Sequence, residues 1–330
     1  MLTRRQVLEG AAVGALVAPA LAQAQVPSQT RGPRLWISIT GAACPGVAAW
    51  PEKARLAAKF GYGGVDWDFA PAKAAGLEAT KALFADLKLR PTICSLPVTT
   101  PLVGEDQAFK DKLPQLAEDA AFAAEVGCQR MMLVMQPIGP VPKEEHRKRV
   151  RDRLAALSET LGPSKIRLGL EFLGPQYMRS PTPPPPAPGA PPPTAPPAPR
   201  IPFIWTLPET LQLAKDSGPN IGAVLDIWHW HHSGGTIADI LAADPARIVH
   251  VHMSDAKPMP AEDVRDNMRV LPGEGQADVT GFLSAVQRIG YRGGISPEPL
   301  GRFPAGFSPE EAAKMSYETT LAAMKKAEVI

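Results

Sequence analysis

Five of the six histidines in this 330-residue chain fall between residues 224 and 255. The stretch VLDIWHWHH carries Asp226, His229, His231 and His232. SGGTIADILAADPAR follows, and IVHVHMSD then carries His250 and His252. Each apolar run ends in carboxylate and imidazole groups, the side chains that ligate metals and move protons. A strand, a short helix and a second strand make one β-α-β unit with parallel pairing. Such units present ligand-binding groups at the carboxyl ends of their strands. These two strand ends are therefore read as half of a metal site.

The other half needs more parallel strands, and the chain supplies them. Strands are predicted at 34–40, 63–69, 90–96, 130–135, 166–172, 221–228, 248–253 and 293–299. Helices are predicted between them at 50–60, 74–89, 105–126, 143–161, 207–216, 236–243 and 279–289, with a closing helix at 309–327. Eight strands alternating with helices predict a single-domain (β/α)₈ TIM barrel over residues 34–330. An open doubly wound sheet ranks second, because no GxGxxG or P-loop follows any strand. The run PTPPPPAPGAPPPTAPPAP at 181–199 holds 12 prolines in 19 residues. It can neither hold a helix nor join a sheet, so residues 180–200 are expected to be a disordered, polyproline-like insertion. The same alternation resumes after it, which argues for a loop within one domain and not for a domain boundary.

On a barrel, the strand-end groups come to one mouth. Strand five gives Glu171, strand six Asp226, strand seven His250 and His252, and strand eight Glu298. Side chains alternate along a strand, so His250 and His252 share a face. His252, nearer the carboxyl end, is the better ligand, and His250 reads as a hydrogen-bonded residue one layer deeper. Three carboxylates and an imidazole make an oxygen-rich site suited to Mn²⁺, Mg²⁺ or Co²⁺ and able to take Zn²⁺. The alternative is that nearby arginines neutralise these acids separately. His231 and His232 lack matching ligand spacing and are placed beyond the site.

The segments LGLEF, LDIWH, HVHMSD, PGEGQAD and ISPEP, taken in this order, resemble the xylose isomerase-like barrel superfamily and its sugar isomerase/epimerase branch. The resemblance runs from the first strand to the last helix. It implies that Glu171, Asp226, His252 and Glu298 bind one divalent metal, Mn²⁺ foremost. It further implies a ketose 3-epimerase-like chemistry in which Glu171 and Glu298 flank the substrate carbon and move its proton through an enediolate. His229 and Arg269 would brace substrate oxygens, with Lys257 as a second cationic candidate.

The chain ends and the composition narrow the setting. Residues 1–24 read as a twin-arginine signal peptide: Thr3-Arg4-Arg5-Gln6-Val7-Leu8, a short Ala/Gly-rich stretch, then Ala-x-Ala. The expectation is a periplasmic protein exported by the twin-arginine machinery already folded, with its metal loaded first, and without a membrane anchor after processing. Loss of the leader removes Arg4, Arg5 and Glu9 and takes the formal charge from +2 to +1. That balance offers nothing to nucleic acid. Cys44, Cys94 and Cys128 lack CxxC spacing and read as buried structural thiols.

The leading expectation is therefore a metal-dependent isomerase or epimerase of an unphosphorylated sugar or polyol-like substrate. No Arg/Lys/Ser cluster or Gly-rich helix start is available to cradle a phosphate. A lyase on an oxidised sugar or glycoside would use the same first half-reaction, and a non-catalytic sugar-binding barrel is the remaining alternative. The endonuclease branch of the superfamily would need further histidines from the early strands, and none precedes His146. Trp36, Trp67 and Trp205 are candidates for an apolar wall. Homo-oligomer formation is left open.

Overall fold

A computed structural model describes residues 35–182 and 199–330. The signal peptide expected at 1–24 and most of the proline-rich insertion lie outside the described residues. Eight strands carry the architecture: β1 (Leu35–Ile39), β2 (Gly64–Asp66), β3 (Arg90–Ser95), β4 (Arg130–Met135), β5 (Arg167–Phe172), β6 (Ile221–Asp226), β7 (Ile248–Met253) and β8 (Gly293–Pro297). Each pairs in parallel with its neighbours in sequence, and β8 returns to β1 to close the barrel. The predicted (β/α)₈ barrel is the observed fold.

Closure gives every strand a lumenal face and a helix-facing side, so apolar residues alternate with those that fill the lumen. Leu168, Leu170 and Phe172 of β5 join the core, while Gly169 and Glu171 lie on the opposite face. The floor of the lumen is filled by Trp36, whose ring lies under the Arg90 guanidinium. Gly64 and Gly294 leave that space: a Cβ at either position would collide with Thr92 and crowd Trp36. Trp36 is thus a packing residue, as is the buried Trp67. All three cysteines are buried and free.

The outer helices are α1 (Trp50–Phe60), α2 (Phe69–Ala75), α3 (Leu77–Leu87), α4 (Asp106–Lys110), α5 (Leu113–Val126), α6 (Lys143–Leu161), α7 (Gln176–Arg179), α8 (Leu207–Ser217), α9 (Ile227–His232), α10 (Ile237–Leu241), α11 (Val279–Arg288) and α12 (Pro309–Lys326). Prolines occupy the first turn of α1, α5, α8 and α12, where the missing N–H costs nothing. In α6, Val150, Leu154, Leu157 and Leu161 repeat at helical spacing and are buried against the barrel. Each such side chain contributes about 1.5–3 kcal/mol. Among the described residues no helix is long and apolar enough to cross a membrane.

Three departures from the expected boundaries have local causes. The helix expected at 74–89 is two, because Gly76 adopts φ +93° between α2 and α3. The helix expected at 105–126 is broken ahead of Pro114, which starts α5 and cannot occupy a helix interior. The strand expected to reach Trp228 stops at Asp226, whose carboxylate accepts from the N–H groups of Trp228 and His229 and caps α9.

His146 on α6 is buried and packs edge-on against Phe203. Burial lowers its pKa from the ordinary 6.5, with Arg149 adding to the effect. The unfolded chain therefore protonates His146 before the folded one does. The stability it contributes is present above its unfolded pKa and is lost as pH falls through the folded value. Thermal melts at about pH 7.5 and about pH 5.5 should show a fall in Tm that is smaller in His146→Leu. An equal fall in both proteins would remove His146 from the account.

Candidate metal centre

Four strand ends meet at the barrel mouth. Glu171 is the penultimate residue of β5, Asp226 the last of β6 and His252 the penultimate of β7, while Glu298 directly follows β8. Each offers a ligand atom, and these atoms lie within 4.8 Å of one another. His252 Nδ1 stands 2.7 Å from Glu171 Oε1, 3.3 Å from Glu298 Oε2 and 3.9 Å from Asp226 Oδ2. Glu171, Asp226 and His252 are buried, and only Glu298 retains partial exposure.

The nearest cation is Arg269. Its Nη1 donates to Asp226 Oδ2 at 2.7 Å and to Glu298 Oε2 at 2.8 Å. Its Nη2 and Nε both donate to Asp266 Oδ1, at 2.6 and 3.0 Å, and its plane lies over the Trp228 ring. Nη2 also lies 3.2 Å from His229 Nε2. One arginine thus holds two of the acids, and Glu171 has none. Glu171, Asp226 and Glu298 bring three negative charges against the single positive charge of Arg269. Arg269 is shared with Asp266 as well, so with His252 neutral the cluster keeps a net negative charge of the kind a divalent ion offsets.

The titration behaviour follows from that imbalance. Burial pushes Glu171 up to about 7, with Glu298 and Asp226 adding to the effect and His252 opposing it. Burial works against the charged form of His252, but Glu298 and Glu171 outweigh it and raise its pKa well above the ordinary value. Burial also works against the Asp226 carboxylate, yet Arg269 leads the groups that pull its pKa far down. The shifts at Glu171 and His252 both run in the direction that positive charge at this place would relieve. The donor set is hard, anionic and convergent, and it fits a divalent metal.

His229 is brought to the site by α9, one helical turn beyond Asp226. Burial lowers its pKa to about 4, so it is neutral. Since Nε2 accepts from Arg269, the ring proton resides on Nδ1, which has no partner among the described residues. Lys257 is exposed on the connection after β7 and is not brought to the cluster. His250 lies deeper, with Nε2 2.8 Å from Ser296 Oγ.

Two further residues shape the site without having been singled out in the sequence. Asp255, buried after HMS, gathers the backbone N–H groups of Ala256, Gly273, Gly275 and Ala277 at 2.8–3.0 Å. This carboxylate organises the PGEGQAD loop. It also steadies the antiparallel pair Asp255–Ala256/Arg269–Val270 that presents Arg269. The second residue is Asp66 at the end of β2. Its Oδ1 accepts from Ser38 Oγ at 2.7 Å, and its buried Oδ2 has no hydrogen-bond partner among the described residues. Oδ2 faces His250 Nε2 at 3.5 Å and His252 Nε2 at 3.9 Å. Asp66, His250 and His252 could be read as a second metal group. However, His252 turns Nδ1 to the carboxylates and Nε2 toward Asp66, which at 3.9 Å acts on the ring by charge and not through a hydrogen bond. Carboxylates behind a ligand ring help to orient it, and their loss typically costs about 10- to 100-fold in metal affinity. Titration of the metal-free protein with Mn²⁺ should show a loss of that size in Asp66→Asn with the fold intact. Unchanged affinity would show that His252 is held by other means.

Comparisons with known proteins agree with the barrel fold. The chain is 29% identical over 186 residues to an inosose isomerase of Halalkalibacterium halodurans, covering 56% of this chain and 57% of that relative's length. The chain thus matches little more than half of the relative. A xylose isomerase domain protein from Alicyclobacillus acidocaldarius superposes with a TM-score of 0.76 at 24% identity, covering 89% of this chain and 99% of that one. An IolI protein crystallised with a zinc atom superposes with a TM-score of 0.70 at 21% identity, covering 88% and 99%. The xylose isomerase-like TIM barrel profile matches residues 54–322. With that match spanning most of the sequence, the chain belongs to the xylose isomerase-like TIM barrel family.

Proposed function

We propose that this protein is a divalent-metal-dependent isomerase or epimerase of a sugar or cyclic polyol ketone, with Glu171 and Glu298 as its proton-transfer pair. The observation that carries the reading is the charge imbalance at the barrel mouth: three convergent carboxylates and an imidazole, with Arg269 as the single permanent cation among them. The inosose isomerase relative and the zinc atom of the structural neighbour support the same class of chemistry.

Glu171, Asp226, His252 and Glu298 would hold the ion. When bound, it would supply electrostatic stabilisation to the negative oxygens of an enediolate. The proton transfers belong to the side chains. One glutamate removes the proton from the carbon beside the carbonyl, and the C–H electron pair moves into the new C=C bond as the carbonyl becomes an enediolate. The second glutamate returns a proton to the opposite face, giving an epimer. Return to the neighbouring carbon gives an isomer. Arg269 orients Asp226 and Glu298, which it already binds, and His229, whose Nε2 accepts from Arg269, helps to hold that guanidinium in place.

Incubation of Mn²⁺-loaded protein with free ketoses, inososes and 3-oxo-glycosides in D₂O, followed by NMR, tests this directly. Deuterium should enter the carbon beside the carbonyl as a new epimer or isomer appears. Glu171→Gln and Glu298→Gln should each slow exchange by about 10²- to 10⁴-fold. Exchange accompanied by loss of a β-substituent would replace the isomerase with a lyase. No exchange with the metal bound, or full exchange in both variants, would defeat the reading.

A further inference from the structure

A cavity of about 370 Å³ lies between the ends of β3 and β4 and the first half of α6. It is within the range of small-molecule sites, about 300–1,000 Å³. Leu96, Val98, Leu102, Val103, Val134 and Phe203 dominate its walls, and among the described residues no aspartate, glutamate, lysine or arginine lines it. Two of these apolar side chains face solvent, Val103 at 45% and Val134 at 44% exposure. Exposed valines in a concave wall are costly to leave wet and favour an apolar guest.

Val134 ties the cavity to the site. It is the register partner of Glu171 across the β4–β5 pair, and both occupy the lumenal face. An apolar wall therefore begins one strand away from a proposed proton-transfer glutamate. The walls are also fixed in advance. Buried Arg153 donates to the carbonyls of Pro101, Val103 and Gly104 and to Asp106, pinning the loop that carries Leu102 and Val103. On the other side, Phe203 N–H donates to Pro137 O at 2.7 Å, next to the Ile138–Gly139/Ile201–Pro202 ladder. A preformed pocket binds without an ordering cost.

We propose that this cavity seats an apolar substituent of the substrate, so that the preferred substrate is a polyol ketone carrying an aromatic or branched aliphatic group. The inference rests on the proposed function for the position of the ring, with its reacting carbon at Glu171 and Glu298. The polyol ring meets the acids and the metal, while the substituent passes Val134 into the apolar space. A free sugar would leave that space in contact with water. The barrel then selects by what the sugar is attached to as well as by the sugar.

Two measurements on the full Mn²⁺-loaded chain test this. In the first, exchange in D₂O is compared for 4-fluorophenyl and methyl 3-oxo-β-glucosides. The aryl compound should be favoured by about tenfold or more in kcat/KM, mainly through KM, the scale expected for filling an apolar pocket. Val103→Asp and the isosteric Val134→Thr should narrow that ratio. Equal kcat/KM for the two substrates, or a ratio untouched by both variants, would overturn the proposal. The second measurement needs no turnover: ¹⁹F NMR titration of 4-fluorophenyl β-glucoside should show saturable binding that weakens in Val103→Asp. Loss of exchange with retained, Val103-dependent binding would defeat the proposed reaction and leave the cavity assignment standing. Absence of ¹⁹F binding, or binding indifferent to Val103, would defeat the cavity assignment.

Discussion

Three carboxylates held at the mouth of one barrel, largely out of water, are the constraint around which the surroundings are arranged. Like charges this close and this buried repel strongly, and a protein keeps them only by supplying compensation. Arg269 supplies part of it by bridging Asp226 and Glu298. Asp226 is further satisfied by the start of α9, where it accepts from two backbone N–H groups. Glu171 has only His252 and is the acid whose pKa rises. The residual negative charge is of the kind that a divalent cation would offset.

The barrel makes such an arrangement affordable in structural terms. Its helix-facing side carries the apolar burial that stabilises the chain, which leaves the carboxyl ends of the strands free to carry groups that do not stabilise it. The lumen grades from packing to chemistry along its axis. Trp36 and the glycines beside it close the floor, and a hydroxyl layer of Ser38, Thr92 and Ser296 follows. Asp66, His250 and His252 come next, and the strand-end carboxylates lie at the top.

Much of this was legible in the sequence because it follows from periodicity. The strands are apolar runs ending in polar residues, so Glu171, Asp226, His252 and Glu298 announced themselves as strand ends. What was not legible depends on contacts between distant segments. Asp66 lies in GGVDWDF, where nothing local separates it from Asp68, and only closure of the barrel brings it to His252. The α9 turn was hidden because IWHWHH is as compatible with a strand as with a helix until Asp226 is seen to cap it. Arg269 was picked out by its place before PGEG, but its role could not be read there. It is buried and already engaged with Asp226, Glu298 and Asp266. The apolar cavity draws its walls from β3, β4, α6 and Phe203, and no single stretch of sequence carries its signature.

The carboxylate of Asp255 has an evolutionary corollary. By collecting backbone N–H groups from both sides of the 257–268 excursion, it fixes the two roots of that segment independently of what lies between them. The exposed residues at its start can therefore vary while Asp266, near its end, keeps its hold on Arg269 Nε and Nη2. In this chain the rim and the charged centre are thus anchored separately, the one by its own loop residues and the other by Asp255 and Asp266.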